Sequence, residues 1–247
     1  MTIAAEFDNV VKDYPCGWLG RQKLRALDGV SFQVETGQVL GLIGPNRAGK
    51  TTLAKILLSL CRLTAGKAFR FGEPVDRQKT LCRVGYMHEN QAFPRYWNAR
   101  GILEFYGALS LVNADVICRR IPILLEKVGL ADRSDEPISQ FSKGMVQRLA
   151  LAQSIINDPD LLVLDEPTAG LDAEGRRLVH EIVRERRQRG GAVILITHLM
   201  SDIEALCDRV VAIRAGKLVR EGPIDSFRKE SESFEQSIEP LLEAQPT

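Results

Sequence analysis

Eight residues, Gly44, Pro45, Asn46, Arg47, Ala48, Gly49, Lys50 and Thr51, stand between the apolar run VLGLI and a helix-forming run. Their spacing is GxxxxGK[ST], and a strand before with a helix after is the setting in which such a loop cradles phosphate. The two glycines let the backbone wrap around phosphate oxygens, and the amides that open the helix point their donors inward. Lys50 adds a point charge near the β- and γ-phosphates. Thr51 offers its hydroxyl to Mg²⁺, and Thr52 donates to a phosphate. Pro45, Asn46, Arg47 and Ala48 contribute mainly backbone, so an arginine in the middle is compatible. Nucleotide binding is the expectation.

A second chemical stretch is LLVLDEP at 161–167. It sets two carboxylates at the end of a buried strand, where adjacent acids repel unless a cation or a proton compensates. Asp165 is placed to hold Mg²⁺, directly or through water. Strand alternation turns Glu166 elsewhere, toward an attacking water. His198 closes a further apolar run, AVILITH. At a carboxyl-end strand terminus it can donate to a γ-phosphate or help position a base. His180 falls among charged residues of a helix and reads as surface, while His88 remains unassigned. Their spacing does not suit a metal site. Ser142 and Gly144 stand at the start of the long helical run MVQRLALAQSII, whose first amides can face an anion. Taken in isolation, that segment reads as an ordinary helix cap at Ser142.

The elements that must position these groups are legible as periodicity. VLGLI, LLVLD and AVILIT are continuous apolar runs of the kind buried inside a parallel sheet. Helices are expected to begin near Gly49, Lys143 and Gly175. FDNVV and VSFQV alternate as half-buried strands separated by a polar excursion, CGWLGRQKL, and RVVAIRAGKLVREG reads as a hairpin turning at Ala-Gly. Between about residues 81 and 140 the pattern turns helical, in NARGILEFYGAL and ADVICRRIPILLEKVGL, with Pro122 expected to start a turn or kink the second segment. This stretch reads as a helical insertion in a single domain over 1–247. The acidic tail, 226–247, suggests one short helix.

Composition narrows the class. The chain has 247 residues, 45% of them hydrophobic, enough for one large α/β domain. Thirty-three basic against 32 acidic residues leave a formal charge of +1, which argues against a general nucleic-acid binder. Five single cysteines without a CxxC pair fit a reducing compartment. No apolar signal core opens the sequence, and no run approaches the ~18–20 apolar residues of a membrane span. A cytosolic chain able to dock on a membrane protein is expected.

The segment FSKGMVQR at 141–148, followed by ALAQSIINDPDLLVLDEPTAGLD and an isolated histidine, resembles the nucleotide-binding subunits of ATP-binding cassette (ABC) transporters. The resemblance covers roughly residues 3–225. It implies a P-loop NTPase core of the ABC ATPase type, with an N-terminal antiparallel β subdomain and an inserted helical subdomain. It also implies an Mg²⁺-dependent ATPase with ATP and Mg²⁺ as cofactors. By the same resemblance Tyr14 stacks on adenine and residues 44–52 form the phosphate loop. Glu89 takes the place of a common glutamine, near Mg²⁺ and the reacting water. Ser142, Lys143, Gly144 and Met145 form the signature, Asp165 is the Mg²⁺ aspartate, and Glu166 is the general base. Asp172 is the acid of a dimer-facing loop and His198 the switch histidine. A head-to-tail dimer follows, most simply of identical chains, in which one subunit's signature caps the other's ATP.

The sequence departs from the commonest family pattern in FSKGM, in Glu89 and in Arg47, but Lys50, Asp165, Glu166 and His198 are all present. SKGM and GYxxEN resemble subunits serving multidrug, antibiotic-resistance or copper-enzyme-maturation exporters. This implies a separate multi-span permease, peripheral placement on the inner face of the cell membrane, and no direct nucleic-acid partner. The permease is expected to meet aromatic residues after Glu89, namely Phe93, Tyr96 and Trp97, with Phe105 and Tyr106 read as core. LRAL at 24–27 and Trp18 are expected to pack beside the adenine site. Two other readings stand beside this one: a soluble relative acting on nucleic acid or ribosomes, and a nucleotide-gated scaffold that scarcely turns over.

Overall fold

The computed structural model describes residues 2–16, 22–228 and 233–243. Two sheets organise it. The larger is built from β3 (Val39–Ile43), β6 (Val84–Met87), β7 (Leu161–Asp165), β8 (Ala192–Ile196), β9 (Arg209–Arg214) and β10 (Lys217–Pro223), in the order β10-β9-β3-β8-β7-β6. All its pairings are parallel except β9 with β10. The smaller sheet is antiparallel, in the order β2-β1-β4-β5, from β1 (Ile3–Cys16), β2 (Gln22–Glu35), β4 (Ala65–Arg70) and β5 (Glu73–Pro74). The expected α/β class with an N-terminal antiparallel sheet is the one adopted.

Every residue of β3, β7 and β8 is buried, which is why these runs lack polar alternation. Alternate residues serve opposite faces. Leu162 and Leu164 join one core with the helices α2 (Ala99–Leu109), α3 (Ala114–Lys127), α4 (Lys143–Ser154) and α5 (Ala173–Gln188). Leu161 and Val163 join a second core with α1 (Lys50–Leu57) and the antiparallel sheet. Each fully buried leucine contributes roughly 1.5–3 kcal/mol. Asp165, two residues beyond Val163, thereby falls on the face that carries α1.

Side chains start the helices where the sequence offers caps. Asn98 accepts from Gly101 N, Ser142 from Met145 N and Asp172 from Gly175 N. The helices α6 (Met200–Leu206) and α7 (Phe234–Leu242) stand before and after the β9–β10 pair in sequence. Ser233 and Gln236 cap α7 reciprocally, while Phe234 and Ile238 bury its apolar side.

Several expectations need correcting. The polar excursion is shorter than its composition suggests, because Cys16 and Gln22–Leu24 continue the two strands and Tyr14 pairs with Leu24 across them. Trp18 lies outside the described residues. Within the interval 81–140, Val84–Met87 is a strand of the large sheet rather than helix. Pro122 starts no turn: α3 runs through it, with Pro122 on the exposed side. Among the described residues no helix is long and apolar enough to cross a membrane.

Candidate nucleotide site

The phosphate loop is shaped by its glycines and braced from the β9–β10 hairpin. A Cβ on Gly44 would lie 2.1 Å from Ile213 O, and one on Gly49, at φ 113°, would lie 2.7 Å from Ala26 O. Neither position admits a side chain without displacing backbone. The hairpin turns at Ala215 and Gly216, both left-handed, and Gly216 N donates to Ala48 O at 3.0 Å. Arg47, at φ 66°, occupies a left-handed position that favours glycine, a strain of roughly 1–2 kcal/mol for an L-residue.

Lys50 opens α1 and donates to two carbonyls of its own loop, Gly44 O at 2.6 Å and Pro45 O at 3.0 Å. Its ammonium is therefore held inside the curve of the loop. Burial pushes Lys50 below its ordinary value, against the opposing pull of Glu166, Asp165 and Glu89. Thr51 Oγ1 donates to Asp165 Oδ2 at 3.3 Å, so the loop hydroxyl and the strand-end carboxylate meet.

Asp165 is 2% exposed and its carboxyl is raised to about 6. Burial is the main cause; Thr51's hydrogen bond and His88 oppose it, while Glu166 and Glu89 add to it. Tyr86 lies on β6 opposite Val163, on the same face. Its hydroxyl is buried without a protein partner, and burial, then Asp165, hold it protonated. Tyr86 and His88 fall within GYxxEN, but their place beside Asp165 follows from the pairing of β6 with β7, in a stretch expected from sequence to be helical.

Glu166 does not follow simple strand alternation. Its backbone is left-handed, at φ 51°, and its amide donates to Ile196 O at 2.8 Å. The side chain is thereby turned to the end of β8. There it accepts from Thr197 Oγ1 at 3.3 Å and His198 N at 3.1 Å, and lies 2.9 Å from His198 Nδ1. A left-handed glutamate costs of order 1–3 kcal/mol and persists only where surroundings over-determine it.

These groups share a cleft of about 330 Å³, lined by Tyr14, Leu24, Ala26, Asn46, Arg47, Ala48, Gly49, Lys50, Thr51, Thr52, Glu89, Asp165 and Glu166. Gly44 and Pro45 join through Lys50, and His198 through Glu166. Tyr14 borders the cleft, with Lys12 Nζ 4.7 Å from its ring centre and its hydroxyl donating to Cys61 Sγ at 3.7 Å. Leu24 and Ala26 of LRAL line the cleft, and Leu27 is buried beneath Gly49.

The structure does not bring Ser142, Gly144 or Asp172 into this cleft. Ser142 is exposed and accepts from Met145 N at 3.3 Å. A Cβ on Gly144 would meet nothing within 4 Å, so the start of α4 is open to approach. Asp172 caps α5 through Gly175 N at 2.7 Å and pairs with Arg148 at 3.3 Å. The Gly175 amide is the main reason its carboxyl sits below the usual range. Lys143 lies along Gly170, within the loop that leads to Asp172.

The cleft suits a hard cation shared with phosphate. Asp165, Glu166 and Glu89 gather around one Lys50, and Thr51 and Asp165 supply adjacent oxygens. Among the described residues no three His, Cys, Asp or Glu side chains converge to hold a metal alone. Thr51 and Asp165 would offer oxygens to an ion such as Mg²⁺, which takes few protein oxygens beside phosphates and waters.

The aromatic expectations divide. Phe93 is buried, edge-on to Tyr106 at 6.2 Å, and not exposed as its loop position suggests. Phe105, read as core, is 48% exposed, and Tyr96 is 82% exposed. Trp97 packs edge-on to Phe105 at 5.4 Å, and the three flank a hollow of about 540 Å³.

A family model described as ABC transporter matches residues 27–169. An uncharacterized ABC transporter ATP-binding protein of Synechocystis is 37% identical over 92% of this chain and 64% of its own length. A counterpart from Nostoc is 40% identical, over 87% and 65%. The Nod factor export ATP-binding protein I of Paraburkholderia xenovorans is 38% identical, over 89% and 70%. The chain thus spans just under two thirds of the length of the first two. A solved ATP-binding subunit of an ABC transporter superposes with a TM-score of 0.87 at 25% identity, covering 97% of this chain and all of that one. A dimeric ATP-binding cassette in a post-hydrolysis state with ADP and Pi gives 0.81 at 20% identity, over 89% of this chain and 98% of that one, which shows the shared fold.

Proposed function

Because this chain belongs to the ABC transporter family, we propose that it binds and hydrolyses ATP as the ATP-binding subunit of an exporter whose membrane permease is a separate chain. The observation that carries this reading is the convergence of Lys50, Thr51, Asp165, Glu166 and His198 at the carboxyl ends of β3, β7 and β8. Crevices at such strand ends are where open α/β sheets bind ligands.

In this reading Lys50 exchanges the Gly44 and Pro45 carbonyls for β- and γ-phosphate oxygens. Loop amides and Thr52 hold the remaining oxygens, and Tyr14 stacks on the base. Thr51 and Asp165 would hold Mg²⁺, with Glu89 close by, and the ion would supply neutralising charge to the phosphates. Glu166 orders the attacking water and accepts its proton, and His198, held against Glu166, faces the γ-phosphate.

The second half of the proposal concerns partners. The open helix start at Ser142 and Gly144 supports a head-to-tail pair in which these residues cap ATP held by a second copy, with Asp172 beside the contact. Relatives named for Nod factor export support export over the nucleic-acid or ribosomal alternative. The hollow between Tyr96, Trp97 and Phe105, in the helical insertion of 81–140, is the proposed seat of the permease, which would hold the chain at the inner membrane face.

Steady-state hydrolysis by the purified full chain tests the reading. Lys50→Ala is expected to lower both nucleotide affinity and turnover. Glu166→Gln is expected to retain ATP and yield a long-lived dimer, and turnover at the parent rate would remove Glu166 as the base.

A further inference from the structure

The turn that carries Glu166 is held from two sides, and only one of them belongs to the cleft. On the first side, Thr197 and His198 grip the Glu166 carboxylate. On the second, Thr168 donates its hydroxyl to Asp202 Oδ2 at 2.7 Å. Asp202 sits on α6, and its other oxygen lies 2.8 Å from His180 Nε2 on α5. Thr168 and Asp202 are each only 2% exposed. A carboxylate so deeply buried is tolerated where each oxygen has a partner, and here the two partners come from different elements.

The geometry transmits this grip to the chemistry. Ala169 N donates to Glu166 O, and Leu171 N donates to Thr168 O, both at 3.2 Å, so 166–171 is a hydrogen-bonded double turn. Its first residue is the left-handed Glu166, a conformation that needs outside restraint. The helix bearing Asp202 begins two residues after His198, so α6 sets the position of both. The pair ties Thr168, in the middle of the turn, to the helix that follows His198.

We propose that Asp202 is a positioning residue for hydrolysis: by holding the Thr168 hydroxyl it fixes the 166–171 turn and keeps the Glu166 carboxylate aimed at His198 and the cleft. The proposal rests on the reading of Glu166 as base.

The test is Thr168→Val, which keeps volume and removes the donor, beside Thr168→Ser, which keeps the donor. In the full chain Thr168→Val is expected to lower kcat by about tenfold to a hundredfold, the scale of a misplaced catalytic group. ATP affinity and KM are expected to stay within about twofold, since the nucleotide is held elsewhere. Thr168→Ser is expected to hydrolyse at close to the parent rate. If Thr168→Val does not fold, Thr168→Ala carries the same expectation. Parental kcat in the Val variant, or an equal loss in the Ser variant, overturns the proposal, provided Glu166→Gln is inactive. An active Glu166→Gln instead refutes the base reading, and this proposal with it.

Discussion

Asp165 is the residue where function and stability are expected to pull against each other most clearly. It is 2% exposed, and its carboxyl is raised from 3.8 to about 6, chiefly by burial. Raising a carboxyl by that amount disfavours its ionised form by about 3 kcal/mol. Because the folded value lies above the unfolded one, the folded chain binds the extra proton between them, and stability falls as pH rises from about 4 to 6. Above that window the full cost persists. Asp165→Asn removes the charge, keeps the shape, and still offers an oxygen to Thr51 Oγ1.

The variant is therefore expected to be more stable than the parent by up to about 3 kcal/mol at pH 7.5, and by only about 1 kcal/mol at pH 4.5. Denaturant unfolding at the two pH values, without nucleotide or divalent cation, measures both differences. The same substitution is expected to remove the stabilisation that Mg²⁺ adds to bound ATP, and to stop turnover. A variant no more stable than the parent at pH 7.5, or one whose advantage does not shrink with acid, would refute the account of Asp165 as a charge held at a cost.

Two further substitutions probe other parts of the molecule. Ser142→Arg is expected to block hydrolysis while leaving ATP binding by a single chain within about threefold, by equilibrium titration, since Ser142 lies outside the cleft; unchanged turnover would sink the shared-site proposal. Arg70 is fully buried and donates to Leu57 O, Ser59 Oγ, Val75 O, Arg77 O and Thr80 Oγ1, tying the end of α1 to the segment after β5. Arg70→Leu strands those acceptors and is expected to cost about 3 kcal/mol or more in chemical unfolding.

What the sequence made legible was the chemistry that follows strict spacing. GxxxxGK[ST] after VLGLI, and DE after LLVL, fix both residue type and strand end, because a fully buried run has only one place to stop. Glu166 is the instructive exception. Its strand predicts a side chain on the opposite face from Asp165, but the chain turns left-handed at that residue, and no pattern in LLVLDEP announces the turn. His180 read as surface because its neighbours in sequence are charged, yet its partner Asp202 is 22 positions away. Phe93 and Phe105 also depart from expectation, because Phe93 is covered by Tyr106 of the following helix while Phe105 lies on the open side of that helix beside Trp97. Arg70 is fully buried in β4, and nothing in AGKAFR marks it, because the acceptors that hold it lie outside that strand.

The costs gathered at the cleft argue for what occupies it. Asp165 carries a charge that burial disfavours, Lys50 is desolvated, and Glu166 and Arg47 hold backbone conformations that favour glycine. Local groups offset these costs only in part, through the acids that draw on Lys50 and the bond from Thr51 to Asp165. The surroundings supply the restraint instead, through the fully buried strands β3, β7 and β8 and the Thr168–Asp202 bond. A cation beside Asp165 would relieve the carboxylates, and phosphate oxygens would give Lys50 and the loop amides acceptors of full charge. Ligands that relieve such costs bind the folded chain alone, so the stabilisation they confer grows with ligand concentration. The site is therefore least comfortable by itself, and a nucleotide with its metal is the combination that corrects all of these imbalances together.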